Sequence, residues 1–161
     1  MPDDGLVYWD SDVFIHRLEG TPDKIDILRH ITDRAEQGEL RIATSAFALC
    51  EVAKLEGLPL PDEQERMIVE FFDNPYIVVV QVDRFVALKS RDITRRFGLK
   101  GKDAVHVASA LLAPASVMHT YDESHILKLN GLVGDPPLRI ERPGWKAGQP
   151  PLPRLEVPGA P

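Results

Sequence analysis

The sequence holds a single cysteine, Cys50, which excludes an internal disulfide and fits a reducing compartment. Its expected role is that of a small buried hydrophobe, not of a nucleophile. No apolar run approaches the roughly 20 residues a bilayer crossing requires, so no membrane role is expected. The stretch Met1 to Gly5 carries two acids and no base, and no small-residue cleavage site follows, so the expected location is cytoplasmic. Net positive charge is missing too: 19 Lys and Arg face 25 Asp and Glu, for a formal charge of −6, which taken alone argues against a polyphosphate partner. No internal repeat is evident. Apolar content is not short, and 43% hydrophobic against 27% charged residues excludes disorder, while 161 residues suffice for one domain with a real core.

The charge is unevenly spread. Lys89, Arg91, Arg95, Arg96, Lys100 and Lys102 crowd one stretch, opposed only by Asp92 and then Asp103. Such a run serves as a solvated helix face or as a set of phosphate contacts. Acids that line a metal pocket would also have much of their charge cancelled by bound cations.

Along the chain, Leu6 to Trp9 reads as a short strand ending at Asp10. Thr21-Pro22-Asp23 has the order of helix cap, first position and first-turn acid, and Ile27, Leu28, Ile31 and Ala35 give the helix an apolar face up to Gly38. Leu40 to Ala43 is a second strand. Ser45 caps an expected helix from Ala46 to Glu56, stopped by Gly57. Pro61-Asp62 opens another, burying Met67, Ile68, Phe71 and Phe72, and Asn74-Pro75 breaks it. Tyr76 to Val82 is near-continuously apolar, as in a parallel strand covered on both faces. Asp83 caps a helix to Phe97. A helix from Lys102 to Ala113 is expected to bury Val105, Ala108, Leu111 and Leu112. Val117 to Thr120 is a strand, Asp122 to Leu129 a short helix, and Leu138 to Glu141 a last edge strand. Strands alternating with helices imply an α/β fold, a parallel sheet with helices on both faces. Eight of the 14 prolines fall from Asp135 onward. The expected division is therefore a domain over 1–140 and a Pro-rich tail over 141–161, read first as a loose tail, with a bracing or partner-binding arm anchored by Trp145 and Leu152 as the alternative.

Four acids fall where open parallel sheets bind ligands, beyond the carboxyl ends of strands or at a related helix start. Asp10 follows the first strand, Glu51 lies on the helix entered from the second, Asp103 opens the helix after the basic stretch, and Asp122 ends the strand carrying Thr120. Singly, each is also a cap, a turn former or a solvated acid. Together their carboxylates would repel unless a cation neutralised them. Hard oxygen donors without a Cys/His pattern point to Mg²⁺ or Mn²⁺ rather than zinc.

In order and context these segments resemble a PIN-domain protein, and are similar to VapC-type toxins of toxin–antitoxin pairs. The landmarks are VYWDSDVFI, ATSAFALCEVAKL, KDAVHVASALL and HTYDESHILKLNG, placing Asp10, Glu51, Asp103 and Asp122 on the family's acidic positions. The resemblance spans roughly Val7 to Ile140. It implies a three-layer α/β/α fold and a metal-dependent endoribonuclease, with Asp10, Glu51, Asp103 and Asp122 as catalytic residues and metal ligands. The metal would activate water and stabilise charge on the phosphate, and in-line attack would leave a 5′-phosphate and a 3′-hydroxyl. Ser11, Asp12 and Thr120 are the candidate supports of those carboxylates. Arg91, Arg95, Arg96, Lys100 and Lys102 are the candidate RNA contacts. A cognate antitoxin that blocks the pocket and a homodimer are the implied partners. His106 and His125, each near an acid, are expected to be structural.

One departure matters: Asp12 stands where the family usually has Ser, Asn or Thr. Asp10-Ser11-Asp12-Val13 after an apolar strand also matches haloacid-dehalogenase-type phosphatases, with Asp10 as nucleophile and Asp12 as acid/base. That alternative leaves Glu51 and KDAVHVASA unexplained, and TYDESH is not its expected late acidic pair. A third reading is a PIN fold kept as a binding module with little activity.

Overall fold

Side chains alternate across strand β1, Leu6–Trp9, sending Val7 and Trp9 to one face and Tyr8 to the other, all three buried. The computed structural model describes residues 5–144, and β1 is the middle of its main sheet. The other main-sheet strands are β2 (Arg41–Ser45), β5 (Ile77–Val80), β6 (Val117–His119) and β7 (Ile140–Glu141), in the order β5-β2-β1-β6-β7 and all parallel. The chain runs outward through β1, β2 and β5, then returns to place β6 on the other side of β1. The strand order therefore reverses between β1 and β6, which is where such sheets open a ligand crevice.

Two apolar clusters flank the sheet. Helices α1 (Ser11–Glu19), α2 (Ile25–Glu36) and α4 (Asp62–Phe72) bury Val13, Phe14, Leu28, Ile31, Ile68 and Phe72 on the face of Val7 and Trp9. Helices α5 (Arg84–Phe97) and α6 (Gly101–Leu112) bury Val86, Ile93, Val107 and Ala108 on the face of Tyr8. The fold is the expected three-layer α/β/α arrangement. Asp83 caps α5 by accepting from the Val86 amide at 3.0 Å, and Gly98 ends it at φ 69°, a conformation that favours glycine.

Several local expectations are corrected. Residues 11–19, where no helix is expected from the sequence, form α1 with Asp10 as N-cap and Gly20 as C-cap. Thr21 to Lys24 make a turn, and α2 begins only at Ile25. Helix α3 is short, Ala46–Glu51, because the chain turns into a hairpin of β3 (Lys54–Leu55) and β4 (Leu58–Pro59). Glu56 and Gly57 are its two turn residues, at φ 51° and 74°, so Gly57 serves a hairpin and not a helix stop. The apolar run Tyr76 to Val82 supplies an edge strand, and Val82 is exposed. Met67 and Leu112 are exposed rather than buried, and so is Cys50. In α6 Ala108 is buried as expected, together with Ala104, Val107 and Ala110. After β6 there is a turn and a 3-10 helix, Leu127–Leu129, not a regular helix. Trp145 and Leu152, with most of the expected tail, lie outside the described residues.

Candidate metal centre

Strand β1 ends by delivering Asp10 to the crevice, 3% exposed. Its Oδ1 accepts from the Val13 amide at 3.4 Å, and its Oδ2 accepts from the Thr120 hydroxyl at 2.5 Å. Thr120, on the neighbouring β6 side, accepts in turn from the Asp122 amide at 3.1 Å. One hydroxyl thus ties Asp10 to the start of the Asp122 turn. Burial, reinforced by the Asp12 carboxyl beside it, pushes the Asp10 carboxyl well above the usual range, against the pull of Thr120 and Val13. Asp12 Oδ1 is itself buried and has no hydrogen-bond partner. A buried acceptor left unpaired costs about 1–3 kcal/mol unless something charged meets it.

Asp103 and Asp122 stand together on the open side of this pair. Their carboxylate oxygens and a ring nitrogen of His125 all lie within 4.8 Å of one another, and this is the one such group of three among the described residues. Asp122 Oδ1 accepts from the His125 amide at 3.1 Å, and His125 Nδ1 is 3.3 Å from the same oxygen. Burial raises the Asp103 carboxyl, Asp122 raises it further, and Lys102, His125 and His106 oppose the shift. Asp10 and Glu51 stand outside this group of three.

Glu51 reaches the crevice from α3. Burial pushes its carboxyl up, but the hydrogen bond and charge of His106, then Ser11 and Lys102, outweigh it and hold the group below its usual range. His106 is 2% exposed, with Nε2 2.6 Å from Glu51 Oε1 and Nδ1 2.7 Å from the Tyr8 hydroxyl. A carboxylate only accepts, so His106 donates from Nε2 to Glu51, while its Nδ1 meets the Tyr8 hydroxyl. Tyr8 is suited to donate, since burial and then Asp10 raise its pKa well above the ordinary phenol value. Ser11, Asp12 and Thr120 therefore all touch an acid. Arg91, Arg95 and Lys102 line a cleft along α5 and α6, whereas Arg96 Nε donates to Asp92 at 2.9 Å and Lys100 stands at the N-cap position of α6 without a side-chain cap bond.

The donor chemistry fits a hard divalent cation: clustered carboxylates, two of them held above their ordinary range, and an orphaned carboxyl oxygen on Asp12. Sequence reasoning set aside two residues that the structure brings into this network. For His125 the signal was its place three after Asp122. His106 reaches Glu51 across 55 positions, which no local pattern reveals.

A parallel α/β domain with carboxylates gathered at its strand-order reversal is the class that fold and site define. The PIN domain family profile matches residues 7–129, and the chain belongs to that family. No curated protein matches the sequence. Solved structures of similar fold include a toxin–antitoxin complex from Klebsiella pneumoniae, 19% identical over 80% of this chain and 96% of that one, with a TM-score of 0.56. Another is VapBC2 from Rickettsia felis bound to a DNA fragment from their promoter, 15% identical over 85% and 98%, TM-score 0.57. A third is FitAB bound to the IR36 DNA fragment, 15% identical over 89% and 99%, TM-score 0.56. The phosphatase alternative loses its footing here. The family profile that matches residues 7–129 is the PIN domain. Among the described residues no helix is long and apolar enough to cross a membrane.

Proposed function

We propose that this protein is a metal-dependent endoribonuclease of the PIN type and the toxin of a toxin–antitoxin pair. The observation that carries the reading is the meeting of Asp103 and Asp122 at the crevice, with Asp10 fixed behind them through Thr120. The similar solved folds are toxin–antitoxin assemblies, which supports a cognate antitoxin; that it occupies the crevice, and that the active form is a cytoplasmic homodimer, belong to the same proposal.

Asp103, Asp122 and Asp10 would hold Mg²⁺ or Mn²⁺, with Glu51 beside them. When bound, a divalent cation supplies Lewis-acid neutralisation of charge on the scissile phosphate and a more acidic water. Glu51, ionised and fixed by His106 and Ser11, orients the attacking water by accepting its proton in a hydrogen bond. Thr120 fixes the Asp10 rotamer, and Asp12 adds negative charge that strengthens cation binding. Lys102, next to Asp103, supplies a positive charge for the phosphate.

The test is incubation with total RNA, with and without Mn²⁺ or Mg²⁺, beside an Asp103→Asn control and a small phosphate ester. Cleavage that needs both metal and Asp103 is expected. Ester hydrolysis without RNA cleavage would return the phosphatase reading, and inert, folded, antitoxin-free protein would make the chain a binding module.

A further inference from the structure

A cleft of about 500 Å³ lies along α5 and the start of α6, with Phe47 and Val82 completing its lining. Phe47, Val82 and Val105 form its apolar wall, and Arg91, Arg95 and Lys102 stand on its edge. Phe47 is half-buried, its ring centroid 6.5 Å from that of His106, which holds Glu51. Lys102 precedes Asp103 directly. Through His106 and Lys102 the lining of the cleft adjoins Glu51 and Asp103.

From this we infer that the cleft seats a nucleobase of single-stranded RNA on Phe47, with the flanking phosphates on Arg91, Arg95 and Lys102. The inference rests on the ribonuclease reading and names how its substrate is held. On a chain of net charge −6, a polyanion needs a local set of cations, and these three line the cleft without holding a salt bridge among the described residues. A recessed aromatic wall with cations around it matches the way unpaired nucleotides are bound: the base stacks and the backbone is neutralised. A duplex keeps its bases stacked inside the helix, out of reach of Phe47. Every base has a π-face, so this seat confers little base preference of its own.

The experiment is fluorescence anisotropy of a short labelled oligoadenylate against the full chain in EDTA, repeated over a range of salt. Phe47→Ala is expected to weaken binding about tenfold at low salt and leave the salt slope unchanged. The double variant Arg91→Ala/Arg95→Ala is expected to lower that slope by about 1.4, from about 0.7 for each single-strand phosphate contact. Arg66→Ala, on the helix covering the other face of the sheet, is expected to change neither. Thermal melts check each variant, and if Phe47→Ala melts early, Val82→Glu on the same wall should weaken binding by opposing charge. Absence of binding by the wild type, or wild-type binding by both cleft variants, overturns the proposal. So does a dimer that Phe47→Ala dissolves at unchanged RNA affinity, which would give the cleft to a second copy. Wild-type cleavage with Mn²⁺, measured in parallel, separates the two ideas. Intact cleavage with unaffected binding variants sinks the cleft alone, and absent cleavage with the expected binding pattern sinks the ribonuclease reading alone.

Discussion

His106 Nε2 lies 2.6 Å from Glu51 Oε1, joining the buried centre of α6 to the end of α3. The contact turns a flexible, half-buried carboxylate into a fixed one, with the Tyr8 hydroxyl holding the ring from behind. His106→Ala is expected to lower kcat/KM for RNA by about 10- to 100-fold, the usual cost of losing an orienting partner. His106→Gln, which keeps an N–H donor, should recover most of it. A purely packing role would instead make both variants lose activity in step with their folded fraction, so melting curves beside the kinetics decide.

Asp10 has a folded-state pKa raised by burial and by Asp12, above its unfolded value. The folded state then binds more protons, so metal-free stability falls as pH rises from the unfolded value through the raised one. Above the unfolded value, burial of the Asp10 carboxyl works against folding in the metal-free protein. Asp10→Asn is therefore expected to raise the metal-free melting temperature, because the new amide can donate to Asp12. The same variant should lose both the rise in melting temperature caused by Mn²⁺ and the cleavage activity. Calorimetry in EDTA and in Mn²⁺ at neutral pH measures both effects.

His119 answers to pH in the other direction. Burial, then Arg139, lowers its pKa from 6.5 to about 4, and its Nδ1 accepts from the Trp9 indole at 3.2 Å. The unfolded state binds the extra proton between those values. Its contribution is thus fully present above about 6.5 and is lost as pH falls to about 4, a drop of up to about 3 kcal/mol. His119→Gln should flatten this part of the stability curve, as urea unfolding at several pH values will show.

Phe14 packs edge-on against Trp9 at 5.2 Å and tilted against Phe72 at 4.8 Å, with no exposure. Phe14→Ala is expected to cost about 3–5 kcal/mol of unfolding free energy, read from denaturant titration. Lys128→Ala, at an exposed position, should cost less than about 0.5 kcal/mol.

The strands were legible because Leu6 to Trp9 and Tyr76 to Val82 are apolar runs bounded by breakers, and Asp83 and Gly98 mark their helix on both ends. Helix α1 was not, since its N-cap is the same Asp10 that the strand and the site also claim. The Glu56-Gly57 pair reads equally as a helix stop and as a hairpin turn, and only the pairing of Lys54–Leu55 with Leu58–Pro59 chooses. Tyr76 to Val82 carried no mark of its edge position, because an apolar run records burial rather than neighbours. At the site, the four acids could be named from their places after strands and at helix starts. What tied them together could not: Thr120 meets Asp10 across 110 residues, and Tyr8 meets His106 across 98.

The most direct test is the chemistry of the RNA ends left by the wild-type protein in Mn²⁺. Hydrolysis by an activated water predicts 5′-phosphate and 3′-hydroxyl ends, lost in EDTA and reduced more than about a hundredfold by Asp103→Asn, a larger loss than an outer partner gives. Cyclic 2′,3′-phosphate ends, or cleavage indifferent to chelation and to Asp103, would contradict the metal-carboxylate mechanism.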